Sequence, residues 1–223
     1  QGGDPKIVLD GAYNVVKKFS PTYAPVYIAC GELALEKNDF ALAAQNFEQA
    51  AKLDPVDAGA QFGLAQAFAP SDAEKTNAAI KATMERNPNH VGCLLFVADE
   101  HIDAERYDDA ETVLTQVETI NPLHPKAAAY RAVLAHLRNQ PESEKQYRGT
   151  ALKHWAANPE VDHLIGKKLS QKYRFAEGEA HQRQALGFDA KFLPAKMQLA
   201  SDLLRLGQEE EGLHRLGDTQ VIG

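Results

Sequence analysis

Eight histidines and two cysteines are the side chains of this chain best suited to hold a metal or to act as nucleophiles. A metal site built locally needs imidazoles one helical turn apart, or a histidine beside a cysteine, so that the ligand atoms converge on one ion. His154 and His163 are nine residues apart, and His101 and His136 stand at equivalent places in successive segments. None of the four has a histidine four residues away or an adjacent cysteine. The spacing predicts solvated or turn histidines, no metal site and no cofactor. Cys30 and Cys93 fall on helices two units apart, and a separation of about 20 Å follows from packed helices roughly 8–10 Å apart. A disulfide needs Cα atoms within about 7 Å, so both cysteines are expected as small buried apolar residues. The acidic run at 207–212, GQEEEG, suits the positive end of a helix better than a cation site. No zincin, nucleophile-elbow, phosphate-loop, CxxC or calcium-loop motif occurs, and the expectation is a protein that is not an enzyme.

Composition bounds the rest. Hydrophobic residues make up 44% and charged residues 25%, the balance of an ordinary globular chain. No stretch approaches the run of about 18 uncharged apolar residues that a membrane helix needs, so membrane insertion is not expected. The first residues, QGGDPKIVLDGAYNVV, lack the basic and then apolar pattern of a signal peptide. The net charge of −7 is unevenly placed. Residues 1–120 carry 9 Lys+Arg against 19 Asp+Glu, whereas residues 121–223 carry 15 against 12 and hold six of the eight histidines. There is no basic stripe of the kind that nucleic-acid binding requires.

The elements that must position any site recur at a fixed interval. Gly31, Ala65, Ala98, Ala132, Gly166 and Ala200 each follow an apolar helical run and lie 34, 33, 34, 34 and 34 residues apart. Pro21, Pro55, Pro88, Pro122 and Pro159 mark the same period, with gaps of 34, 33, 34 and 37, and Ala190 restores the register. Within residues 24–57, Tyr27, Cys30, Gly31 and Ala34 share one helical face and Phe40, Ala43, Phe47 and Ala50 share another. Lys37-Asn38-Asp39 breaks the two runs, since Asn and Asp tolerate turn conformations, and Pro55 stops the second. Residues 91–124 repeat the pattern through Leu94, Val97, Ala98, Tyr107, Ala110, Leu114 and Pro122. The segment around Pro70 is one residue short. Pro141 is expected to open a second helix about one turn longer than usual, carrying Tyr147, Ala151, Leu152 and Trp155, and Phe40, Phe47, Phe62, Tyr107 and Trp155 are expected in the core.

These residues and the 34-residue period resemble the tetratricopeptide repeat, or TPR, family. The resemblance implies an all-α, right-handed α-solenoid of antiparallel helix pairs. Repeats are expected at 24–57, 58–90, 91–124, 125–158 and 159–192, with a partial one at 193–223 and the second helix of a truncated repeat at 5–21. Neither end has a polar cap, which stacked repeats need, so the chain is expected to continue in both directions.

The family's first helices line an inner groove, and its positions map here onto Ile28, Glu32, Phe62, Gln66, Leu95, Asp99, Asp103, His136, His163, Lys167 and Arg205. Ile28 and Glu32 stand where carboxylate-clamping members carry Lys and Asn, which argues against a chaperone clamp. The expected function is a non-catalytic scaffold that binds a protein or peptide partner in that groove. Glu32, Gln66, Asp99 and Asp103 would favour a basic or amphipathic segment, and reversing Asp99 and Asp103 to Lys is expected to abolish binding without unfolding. The alternative is the TPR region of a larger bacterial enzyme, resembling stretches that precede a zincin-type peptidase domain.

Overall fold

The computed structural model describes residues 9–212, with side chains from residue 11. A π-helical turn, Leu9–Tyr13, leads into α1 (Asn14–Phe19), followed by α2 (Ala24–Glu36), α3 (Phe40–Leu53), α4 (Ala58–Phe68) and α5 (Ala73–Arg86). Then come α6 (Val91–Asp103), α7 (Tyr107–Ile120), α8 (Pro125–Leu137) and α9 (Pro141–Ala151). The order closes with α10 (Pro159–Gln171), α11 (Phe175–Phe188) and α12 (Leu193–Arg205). There is no strand among the described residues. The even-numbered helices from α2 begin at 24, 58, 91, 125, 159 and 193, which are 34, 33, 34, 34 and 34 residues apart.

Local chemistry explains the helix boundaries. Asp39, Asp57 and Asp72 each accept a hydrogen bond from the backbone N–H three residues on, at 3.0, 2.7 and 2.9 Å, and so cap α3, α4 and α5. Pro125, Pro141 and Pro159 open α8, α9 and α10, where a missing N–H costs nothing. The first helices end in a recurring left-handed residue: Asn38, Glu105, Asn139, Tyr173 and Gly207 all have φ between 55° and 76°. Directly after each, one N–H reaches back five residues. The bonds are Asp39 to the Ala34 carbonyl, Arg106 to His101, Gln140 to Ala135, Arg174 to Leu169 and Gln208 to Leu203, at 2.8 to 3.1 Å. This is the Schellman closure, which satisfies an orphan carbonyl and turns the chain. After α4 the turn is one residue shorter, and Asp72 N–H bonds the Phe68 carbonyl instead.

Two compact units are distinguished, Gln1–Cys93 and Leu94–Gly223. In the first, α2 packs on α3, α4 on α5, and α3 on α4. Phe47 of α3 is the centre: it is fully buried, with Ala34, Ala43 and Ala67 around it and Ile28, Leu35, Leu42 and Leu64 at the margin. Its ring occupies the space that a Cβ on Gly31 or Gly63 would need. Cys30 and Cys93 are both buried free thiols, and burial pushes the Cys93 thiol up to about 11.

In the second unit α8 pairs with α9 and α10 with α11, and α8 and α12 flank α10 and α11. Tyr130, Leu134, Ile165, Leu169, Leu199 and Leu203 form its buried apolar interior. A buried polar group ties three helices together. Asp162 of α10, wholly buried, accepts from the Arg148 guanidinium of α9 at 2.7 and 2.6 Å and faces Nδ1 of His181, on α11, at 3.0 Å. Burial alone would raise the Asp162 carboxyl, but the His181 and Arg148 contacts hold it below its ordinary value.

One expected element differs. Instead of running a turn long, α9 has 11 residues where α3, α5, α7 and α11 have 14. Gly149 and Thr150, weak helix formers, lie just before its end at Ala151. Residues 152–158 then form turns leading to Pro159, so Trp155 is 56% exposed and lies outside the core.

Glycine substitutions separate close approach from simple flexibility. A Cβ on Gly166 would lie 2.8 Å from the Gly178 carbonyl, which is backbone and cannot rotate away, whereas nothing lies within 4 Å of one on Gly149. Gly166→Ala and Gly31→Ala are expected to destabilise by about 1–3 kcal/mol through overpacking. Gly149→Ala should stabilise by up to about 1 kcal/mol. Urea unfolding of the three variants checks this, and equal midpoints would contradict the helix spacing described.

Candidate functional site

The N-terminal halves of α8, α10 and α12 enclose an open cavity of about 370 Å³. Its apolar wall comes from Pro125, Val161, Leu164, Phe192 and Pro194, and its polar positions from Lys126, Asn158, Glu160 and His163. Phe192 meets the His163 ring edge-on, with centroids 5.6 Å apart. Gln182 of α11 fixes the imidazole. Its amide nitrogen donates to the His163 carbonyl at 3.2 Å, so its oxygen is the acceptor for His163 Nδ1–H at 2.9 Å. That leaves Nε2 of His163 as a hydrogen-bond acceptor. Burial lowers the His163 pKa, against the opposing effect of the Gln182 bond, so the ring is neutral at neutral pH. Lys126 stands over the Tyr130 ring at 5.6 Å, and loss of hydration lowers its pKa, with Asp99 opposing.

Beside the cavity lies a charge cluster that reorders the expected groove. Lys168 of α10 is only 3% exposed and ion-pairs with both Asp99 and Asp103 of α6, at 2.5 and 2.8 Å. Lys172, one turn further, donates to the Asp103 carbonyl at 2.7 Å and reaches Glu105 at 3.3 Å. Burial, and then the neighbouring Asp99 carboxylate, push the pKa of Tyr130 far up, so its phenol stays protonated. Asp99 and Asp103 are therefore partners of an internal lysine rather than two free carboxylates. Their reversal to Lys would bring like charges against Lys168, which corrects the expectation that such a change leaves folding intact.

The other sequence-predicted positions divide. Of the residues in the second unit, His163 alone lines the cavity; Lys167 and Arg205 are exposed, and Leu95 is buried at 5% exposure. His136 does not open on that surface, because Nδ1 lies 3.0 Å from a Glu144 oxygen of α9. In the first unit Glu32 is exposed and Gln66 half-buried, Ile28 packs against the Phe47 core, and Phe62 lies against the His90 ring at 5.0 Å. Phe192, Lys126 and Lys168 were not anticipated. Phe192 caps the start of α12 just outside the helical positions considered.

Comparison with known proteins settles what this architecture is. Residues 29–86 match the family described as tetratricopeptide repeat, and solved TPR structures superpose on most of the chain. Residues 29–86 are thus tetratricopeptide repeats, and the rest of the described chain shares the fold of the solved TPR structures. A thermophilic TPR protein of Thermus thermophilus, TTC0263, aligns at 21% identity and a TM-score of 0.64, covering 81% of this chain and 99% of its own. A TPR protein from Parabacteroides merdae aligns at 12% identity and a TM-score of 0.67, covering 96% and 85%. YrrB, described as a TPR protein with an unusual peptide-binding site, aligns at 12% identity and a TM-score of 0.50, covering 82% and 95%. No curated protein matches the chain. The described residues are all-α helix pairs with the fold of solved TPR solenoids, and no described helix is long and apolar enough to cross a membrane.

The Lys168 cluster makes an asymmetric prediction. Replacing Asp99 and Asp103 together by Asn strands a buried ammonium and should cost about 3–5 kcal/mol. Lys168→Met leaves two part-exposed carboxylates that water can solvate, and should cost far less. Thermal and urea unfolding of the two variants checks the order; equal losses would show that Lys168 is not the dependent partner.

Proposed function

We propose that this TPR array is a non-catalytic interaction scaffold and that the cavity at the starts of α8, α10 and α12 receives an apolar side chain of an amphipathic partner segment. The observation that carries this reading is the convergence of three successive first helices on one open, mainly apolar pocket with a few polar groups at its edge, the usual form of a recognition site. TPR-type architecture supports binding of protein or peptide partners, and YrrB is described as having a peptide-binding site.

Charge refines the partner. With Asp99 and Asp103 engaged by Lys168, the remaining exposed charges near the cavity include Lys126, Lys167 and Glu160. An apolar anchor flanked by an acidic residue fits this edge better than the basic segment expected from sequence. His163 Nε2 would accept a hydrogen bond from a backbone N–H or hydroxyl of the partner, as the neutral tautomer allows.

Screening a random peptide library against the chain tests the reading. Selected peptides should share one bulky apolar residue with an acidic neighbour. Phe192→Ala should weaken them by about 30-fold, the loss typical of an anchor pocket worth about 2 kcal/mol. Binders that tolerate both Phe192→Ala and Leu164→Asp would place recognition elsewhere.

A further inference from the structure

A second cluster in the same unit lies apart from the cavity. His136 at the end of α8, Glu144 in the first turn of α9 and His181 in the middle of α11 each direct one ligand-type atom into a common space, all within 4.8 Å of one another. One Glu144 oxygen is 3.0 Å from Nδ1 of His136 and the other is 3.6 Å from Nε2 of His181. A tetrahedral zinc ion with bonds of about 2.0–2.2 Å would hold its ligands about 3.4 Å apart, so small side-chain movements close the shell.

The surroundings favour a cation over an ordinary hydrogen-bond network. Asp162 is buried, bound by Arg148 and acts as acceptor toward Nδ1 of His181. With Nδ1 engaged by Asp162, Nε2 is the ring nitrogen left facing the Glu144 carboxylate, at 3.6 Å. At 3.6 Å the two are too far apart for a hydrogen bond, and the gap has room for an ion shared between them. Carboxylate to histidine to metal is the arrangement by which proteins orient a ligating imidazole. His136 adds to the case: both ring nitrogens are buried, and neither has a partner in hydrogen-bond geometry, despite the short approach of Nδ1 to Glu144.

We infer that His136, Glu144 and His181 form a site for a divalent transition ion of the zinc type, with Asp162 as the residue that orients His181. Two imidazoles and one carboxylate leave a fourth position for water or a further donor, and this ligand set suits Zn²⁺ better than the all-oxygen shells that Ca²⁺ or Mg²⁺ require. The ion would join α8 and α9 of one helix pair to α11 of the next. Its role would be a staple within the second unit, independent of whether a peptide occupies the cavity.

The test uses the full 223-residue chain stripped with a chelator and titrated with ZnCl₂ and CoCl₂. One equivalent should bind, and the Co²⁺ form should show the intense visible absorption of a four-coordinate ion. At about 100 times Kd, Zn²⁺ should raise the melting temperature by about 5–10 °C. Glu144→Gln and His136→Gln should each weaken binding by at least about tenfold while the far-UV circular dichroism is unchanged. His163→Gln, in the cavity, should leave metal binding intact. Absence of saturable zinc binding by the stripped parent would overturn the proposal, as would binding that survives both Glu144→Gln and His136→Gln, which would assign the metal to other histidines. Should His136→Gln fail to fold, Glu144→Gln and the cobalt spectrum still decide.

Discussion

Where the paired helices cross, the first helix carries only glycine or alanine, and the rest of the fold depends on that closeness. Gly31, Ala65, Ala98, Ala132, Gly166 and Ala200 are all buried, each at the same depth in its first helix. In the first unit the void left by Gly31 and Gly63 is filled by one ring, Phe47, so three helices share a single large side chain. In the second unit the Gly166 approach is backbone against backbone, and Gly178 answers it from α11. Interiors packed to crystal-like density transmit such a demand along the chain. A helix pair set too far apart would leave the next pair without its wall.

That closeness also makes polar residues structural. Once α10 packs on α8, Lys168 has no route to water and must find carboxylates on α6. Buried charges persist only when paired and hydrogen-bonded. Asp162 follows the same rule with the guanidinium of Arg148. The second unit therefore uses much of its charge on itself. The surplus of basic residues counted in its sequence is a poor guide to what a partner meets.

The architecture was legible because it is local. Period, tiny residues, turn residues and stop signals all act within about 34 residues, and the helix starts follow them. The site was legible only in outline. Lys167 and Lys168 are neighbours in sequence, yet one step along a helix turns a side chain by about 100°: Lys167 is exposed and Lys168 buried. Lys168 meets partners 65 and 69 residues away, and no short-range pattern announces that. His136, Glu144 and His181 come from three helices, so a search for imidazoles one turn apart passes over them. The longer α9 expected from Tyr147, Leu152 and Trp155 failed because apolar residues beyond a Gly-Thr step do not carry a helix onward by themselves.

That shortened helix has a practical consequence for spectroscopy. The chain has one tryptophan, and it sits in the connector ahead of α10, more than half in contact with solvent. Its emission in the native protein belongs near the wavelength of hydrated indole and will shift little on unfolding. Quenching by acrylamide would follow the local excursions of residues 152–158 and remain almost blind to the apolar interior. The seven tyrosines, among them the fully buried Tyr130, are the chromophores through which the collapse of the packed helices becomes visible.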